Sequence, residues 1–230
     1  MRIGIIIQAR MSSKRLPGKV LRMAAGKPLL LHLYERVIHC HSVDQIIVAT
    51  SSDESDDPVA LFCRDHAIGV FRGPLHDVAA RFKRTLEAFG WDACVRVNGD
   101  SPLLDQRLID QAVMLFRGNN CDLVTNVHPR TFPAGQSVEV IRALTFCNAY
   151  AQMSDGHDLE HVTPFFYRHP DRFAIMNFSA AREYGGLHLA VDTPSDFDAF
   201  NALIGRMTRP AWQYDVGQLA DLYSAPQVSA

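Results

Sequence analysis

An apolar, β-branched run, Ile3-Gly4-Ile5-Ile6-Ile7, leads into a loop that carries four fixed cations, Arg10, Lys14, Arg15 and Lys19. A continuous apolar run of this length reads as a strand buried on both faces, the kind found in parallel sheets covered by helices. In open α/β sheets the carboxyl ends of the strands are where ligands bind. Arginine forks and lysine point charges suit phosphate oxygens, and backbone N–H groups in such a loop can form an anion nest. The loop therefore reads as a polyphosphate cradle, with a solvated basic turn as the plainer reading.

The rest of the chain supports the sheet. Apolar runs at Gln45–Thr50, Gly69–Arg72, Ala93–Val97 and Asp122–Thr125 alternate with helical patterns at Leu29–His39, from Asp57 to about His66, from Asp77 to about Phe89, and from about Asp105 to Arg117. This alternation predicts a right-handed, mostly parallel sheet covered by helices. After Asn126 the rhythm breaks. A turn-rich stretch, His128 to Gly135, precedes a predicted strand at Gln136–Ile141, helices at Ala143–Met153 and Asp158–Arg168, and a strand at Arg172–Phe178. This stretch, about 128–185, is expected to form a small lobe over the sheet edge within one domain spanning 1–230. Leu187–Val191 reads as a further strand, Ser195–Met207 as a helix, and Ser224–Ala230 as a frayed tail.

The 230 residues are 47% hydrophobic and 21% charged, enough for one large globular domain. The formal net charge of -2 gives no general attraction for nucleic acid or an anionic membrane, so the basic loop is local chemistry. The five cysteines, with no C-x-x-C pair, read as reduced residues of a cytoplasmic protein. Arg10 arrives before any long apolar segment, against a signal peptide, and no stretch is apolar enough to span a bilayer.

Two carboxylates stand out. Asp100 and Asp192 each follow an apolar segment and each precede a proline by two residues. Parallel strands would bring both to the edge that carries the basic loop, where Mg²⁺ commonly joins carboxylates to substrate phosphates. The plainer readings are a turn-forming Asp100 and a helix-capping Asp192. Other chemistries lack their motifs. There is no Walker A loop, no G-x-G-x-x-G and no G-x-S-x-G; His39 and His41 read as surface residues; Glu160 is misplaced for H-E-x-x-H. Glu160 and His161 read as contacts to a hydroxylated or acidic substrate, with a helix-surface histidine as the equal alternative.

Five segments carry a family resemblance: Gln8-Ala9-Arg10-Met11-Ser12-Ser13-Lys14-Arg15-Leu16-Pro17-Gly18-Lys19, Phe71-Arg72-Gly73, Arg96-Val97-Asn98-Gly99-Asp100-Ser101-Pro102-Leu103, Glu160-His161-Val162-Thr163-Pro164 and Val191-Asp192-Thr193-Pro194-Ser195-Asp196. With them the chain resembles the cytidylyltransferases that make CMP-activated acidic sugars, most of all the spore-coat polysaccharide biosynthesis branch, over nearly its whole length to about Met207. The resemblance implies a three-layer α/β nucleotide-diphospho-sugar transferase (GT-A-like) fold. It also implies transfer of CMP from CTP to a sugar hydroxyl, with release of pyrophosphate. Arg10, Arg15 and Lys19 would hold the triphosphate, with Ser12 in the same loop. Ala9, Arg72 and Asn98 would lie near the cytosine. Asp100 and Asp192 would hold Mg²⁺, or Mn²⁺ in its place. Arg10, Lys19, Asp100 and Asp192 would form the catalytic set, and Glu139, Glu160 and His161 would contact the acceptor. Relatives of this kind are dimers, which implies a homodimer.

One departure bears on the acceptor: Ser137 stands where relatives commonly carry Asp. Two rival readings stay open. A glycosyltransferase of the same fold would need a D-x-D pair, which neither Asp105 nor Asp53-Glu54-Ser55-Asp56 supplies. A non-catalytic nucleotide-binding regulator would not need the full set of Arg10, Lys19, Asp100 and Asp192.

Overall fold

A computed structural model describes residues 1–184 and 186–225; the predicted frayed tail from 226 onward lies outside the described residues. Its core is a seven-stranded sheet. The first strand, β1 (Ile3–Gln8), lies between β4 (Gln45–Ser51) and β6 (Ala93–Asn98), parallel to both, and β5 (Val70–Gly73) extends the sheet beyond β4. On the other side come β8 (Glu139–Arg142), β7 (Leu123–Thr125) and β9 (Ile175–Asn177). Among the described strands of this sheet, only β8 runs against its neighbours. A short hairpin, β2 (Met23–Ala24) with β3 (Lys27–Pro28), sits apart.

Helices cover both faces. Ile5, Ile7, Val95 and Val97 face a core shared with α1 (Leu29–Val37), α2 (Asp57–Asp65) and α4 (Gln106–Gly118). Ile6 and Cys94, at the alternate positions, face α3 (Val78–Phe89), α5 (Ala143–Tyr150) and α7 (Pro164–Tyr167). A strand with apolar residues on both sides needs such a three-layer arrangement. A third cluster joins Leu16, Leu29 and Leu103 to α8 (Pro194–Gly205) and α9 (Val216–Ser224).

Three expectations change in detail. The stretch expected to form a small lobe gives β8 and β9 to the main sheet and lays its helices on one face. The single helix expected over 158–168 is two: α6 (Gly156–His161) ends at Val162, whose φ is +72°, and α7 starts at Pro164. The break falls at Val162, and proline suits a helix's first turn, so the restart falls at Pro164. Leu187–Val191 is not a sheet strand. It is an extended segment held by one bridge, His188 to Ala134, and by Leu189 N–H donating to the Ala134 carbonyl at 2.8 Å.

Candidate active site

The parallel register of β1 and β6 sets Gln8 beside Asn98, so the loops leaving both strands begin at the same edge. Gly99 allows them to meet: a Cβ there would stand 2.9 Å from the Gln8 carbonyl and 3.1 Å from the Ala9 Cβ. The basic loop is pinned to β4 by Asp56, which is buried and accepts from Met11 N–H at 2.6 Å and Ser51 N–H at 3.1 Å. Gly18, at φ +69°, turns the chain into the 3₁₀ turn that bears Lys19.

Asp192 arrives from the opposite end of the chain. Val191 N–H donates to the Asp100 carbonyl at 2.8 Å, which fixes the two segments side by side. The residue capping α8 is Thr193, in a capping box with Asp196, so the expected cap role does not fall to Asp192 and its carboxylate is free to point elsewhere. It points at Lys19. The Lys19 ammonium donates to Asp100 Oδ2 and Asp192 Oδ1, each at 2.8 Å, and Arg15 reaches the same Asp192 oxygen at 3.0 Å. Lys19's side chain is 10% exposed and Arg15's 66%, so the cluster runs from the interior to the surface.

These residues line a cleft of about 830 Å³ together with Arg10, Ser12, Asn98, Glu160 and His161. Across it, Arg10 donates to Glu160 Oε1 at 2.6 Å. That bond, ahead of the opposing cost of burial, holds the Glu160 carboxyl below the usual range. Burial lowers the His161 imidazole, which is therefore neutral at pH 7.

Three expected site residues are placed elsewhere. Arg72 does not line the cleft; it donates to the carbonyls of Ser51 (2.8 Å) and Asp53 (2.9 Å) and pairs with Asp57 at 2.7 Å, tying down the loop after β4. Ala9 is buried beneath Gly99, its side chain outside the cleft. Glu139 is buried against Arg96 and Tyr167, so it cannot itself face an acceptor. The structure adds Gln8, His76 and Arg96 to the lining. Arg96 had a visible signal, a cation inside the apolar run Ala93–Val97, but a strand alone does not show which way it faces.

Two carboxylates that both reach one ammonium at 2.8 Å can both reach one divalent cation. Among the described residues no cluster of three or more His, Cys, Asp or Glu is placed to hold a metal unaided. That suits Mg²⁺, which commonly takes one or two carboxylates and completes its shell with water and substrate phosphates.

A parallel sheet with a cationic loop and paired aspartates at its carboxyl edge defines an α/β nucleotide-binding transferase. The cytidylyltransferase family model matches residues 4–225, and this chain belongs to that family. It is 32% identical over 207 residues to the spore coat polysaccharide biosynthesis protein SpsF of Bacillus subtilis, covering 86% of this chain and 84% of that one. It is 34% identical over 160 residues to the 3-deoxy-manno-octulosonate cytidylyltransferase of Geobacter sulfurreducens, covering 66% and 60%. A solved cytidylyltransferase from Leptospira borgpetersenii superposes with a TM-score of 0.92 at 26% identity, over 96% of this chain and 93% of that one. The protein is thus a nucleotidyltransferase. Among the described residues no helix is long and apolar enough to cross a membrane.

Proposed function

We propose that the protein transfers CMP from CTP to a hydroxyl of an acidic sugar destined for a surface polysaccharide or glycan. The observation that carries this is the convergence of Lys19, Asp100 and Asp192 in the wall of a cleft of about 830 Å³, large enough for both a nucleotide and a sugar. The acceptor oxygen attacks the α-phosphorus, the bond from that phosphorus to the bridging β-phosphate oxygen breaks, pyrophosphate leaves, and the hydroxyl proton passes to solvent at the open mouth. Such a displacement needs positioning and charge neutralisation and no covalent help from the protein.

Asp100 and Asp192 would hold the divalent ion, Mg²⁺ or Mn²⁺, which supplies neutralisation and polarisation at the α-phosphate. With those carboxylates engaged, Lys19 is released to neutralise the α-phosphate, and Arg10 and Arg15 take the departing pyrophosphate. Ser12 and the backbone of its loop cradle the phosphates, and Asn98 meets the pyrimidine. Glu160 and His161 face the acceptor. The five free cysteines accord with a cytoplasmic setting; a homodimer rests on the family resemblance.

The test is pyrophosphate release with each of the four nucleoside triphosphates against a panel of acidic and neutral sugars. CTP with an acidic sugar is the expected pair. Equal rates with ATP would remove the pyrimidine assignment, and absence of release with every pair would remove the transfer.

A further inference from the structure

The transfer sets a proton free, and the side chains of the cleft differ in their freedom to take it. Asp100 and Asp192 are engaged by Lys19, and Glu160 by Arg10. Glu139 is buried against Arg96 and Tyr167. Two imidazoles line the cleft, His76 and His161. His76 follows β5 and has Asp53 as a charged neighbour. His161 is the last residue of α6, which the bond from Arg10 to Glu160, at 2.6 Å, draws across to the basic loop. His161 thus stands between that loop and Arg96, near enough for its titration to feel both Arg96 and Arg10.

The backbone is bent sharply to leave His161 there. Val162, the next residue, is fully buried in the core shared with α3 and α7 and holds φ +72° and ψ −55°. Its N–H donates to the Asp158 carbonyl, and Thr163 N–H donates to the His161 carbonyl, each at 2.8 Å. The second bond spans three residues and closes the rare, strained form of γ-turn. A β-branched residue at positive φ persists only where its surroundings hold it, and such strain gathers at functional sites. Here the turn stops α6 at His161, with the imidazole in the cleft wall.

Burial, and after it the neighbouring His157, lowers the His161 imidazole from 6.5; Glu160 opposes this, and Arg96 and Arg10 add to it. A neutral imidazole offers one nitrogen lone pair, and no hydrogen bond from the described residues occupies this ring. One turn back, His157 lies outside the cleft lining, with its ring centroid 4.6 Å from that of His161. Both residues are exposed. A proton can pass between rings so placed directly or through one water.

We infer that His161 is the general base of the transfer and that His157 relays the proton it takes to solvent. This rests on the CMP-transfer reading and deepens it at the proton's exit. As the acceptor oxygen bonds to the α-phosphorus, its O–H bond breaks and the proton moves to the free ring nitrogen of His161. The electron pair of the broken phosphorus–oxygen bond leaves with pyrophosphate. The His161 imidazolium yields a proton to His157, and His157 yields one to bulk water, so both rings end neutral.

The test is single-turnover pyrophosphate formation with CTP, Mg²⁺ and the fastest acceptor of the sugar panel, since one turnover reads the chemical step apart from product release. Rates are taken from about pH 5 to 8. In the native protein the rate should fall on acidification as His161 takes up its proton, with a midpoint below 6.5. His161→Gln should melt near the native temperature, lose roughly 100-fold or more in rate, and lose that acidic limb while CTP affinity holds. Added imidazole should restore part of the rate in His161→Ala. His157→Gln should be slowed most in dilute buffer and recover as the buffer concentration rises, because buffer then carries the proton out. A native rate or a native acidic limb in His161→Gln overturns the base, as does a limb that vanishes in His76→Gln in its place. Weaker acceptor affinity with the rate at saturation intact makes His161 a binding contact and also overturns the base. Buffer-independent rates in His157→Gln overturn the relay. Absence of turnover with every acceptor overturns the proposed transfer along with this inference.

Discussion

At the scale of single residues, the cations of the site are paired with carboxylates. Lys19 sits between two carboxylates and Arg10 on a third, so each of these cations meant for phosphate has a protein partner to exchange. Lys19→Ala removes a charge-assisted contact worth about 1.5–3 kcal/mol to CTP, which calorimetric titration reads directly; unchanged CTP affinity would count against the phosphate role. The same substitution leaves Asp100 and Asp192 facing each other with less positive charge between them. It should therefore make Mg²⁺ raise the melting temperature more in the variant than in the native protein. Protonation gives a second prediction. Arg10 lowers the Glu160 carboxyl from its ordinary value of 4.5, so its contribution to stability is present above that pH and is lost as pH falls through the lowered value. His161, lowered from 6.5, contributes in the same direction, because the unfolded chain takes up its proton first as pH drops below 6.5. Melting temperature should fall on acidification, and Glu160→Gln should flatten the limb below about pH 4.5; an unaltered limb would show that the ion pair is not coupled to folding.

At the scale of elements, two short connections do the positioning. The first is Asp56, whose two oxygens hold the basic loop to the end of β4. Asp56→Ala leaves Met11 and Ser51 N–H groups without that acceptor, at a cost of about 1–3 kcal/mol for each that stays buried and unpaired. Urea unfolding should show the loss, and CTP affinity should fall with it; a variant that loses stability but binds CTP normally would show that the loop holds its shape unaided. The second connection is the start of α8. Thr193 caps the helix, so Thr193→Ala should cost about 1 kcal/mol of stability while most turnover per folded molecule survives. A loss of turnover far larger than the loss of folded protein would mean that the cap also holds Asp192 in place.

At the scale of the whole molecule, the parallel half of the sheet was legible because each of its strands is an apolar run followed by a helical pattern. Arg10, Lys19 and Asp100 were legible for a related reason: they lie in the loops leaving two apolar parallel strands, whose carboxyl ends share one edge; Asp192 was read onto that edge from a strand at Leu187–Val191, and it reaches the site from an extended segment whose Val191 N–H bonds the Asp100 carbonyl. What stayed hidden depends on direction and on distant partners. Gln136–Ile141 read as a strand, but nothing local shows that β8 runs antiparallel, since that follows from where the chain re-enters the sheet. Leu187–Val191 has a strand's composition yet finds a carbonyl of Asp100 in place of a sheet neighbour. Asp56 looked like an ordinary acidic residue and Glu139 like an acceptor contact, because their partners, Met11 and Arg96, are 45 and 43 positions away.

The proposed chemistry stands or falls on Asp100 and Asp192, joined in the folded molecule, sharing one divalent ion during CMP transfer. Mg²⁺-dependent pyrophosphate release from CTP by Asp192→Asn probes this sharing, with the best acceptor of the panel and the rate expressed per folded molecule. Since Thr193 is the cap, the variant should melt close to the native temperature and yet lose most of its turnover, as Asp100→Asn should, and chelation should stop the native enzyme. Full activity in Asp192→Asn, or native turnover that persists after chelation, would contradict the shared ion.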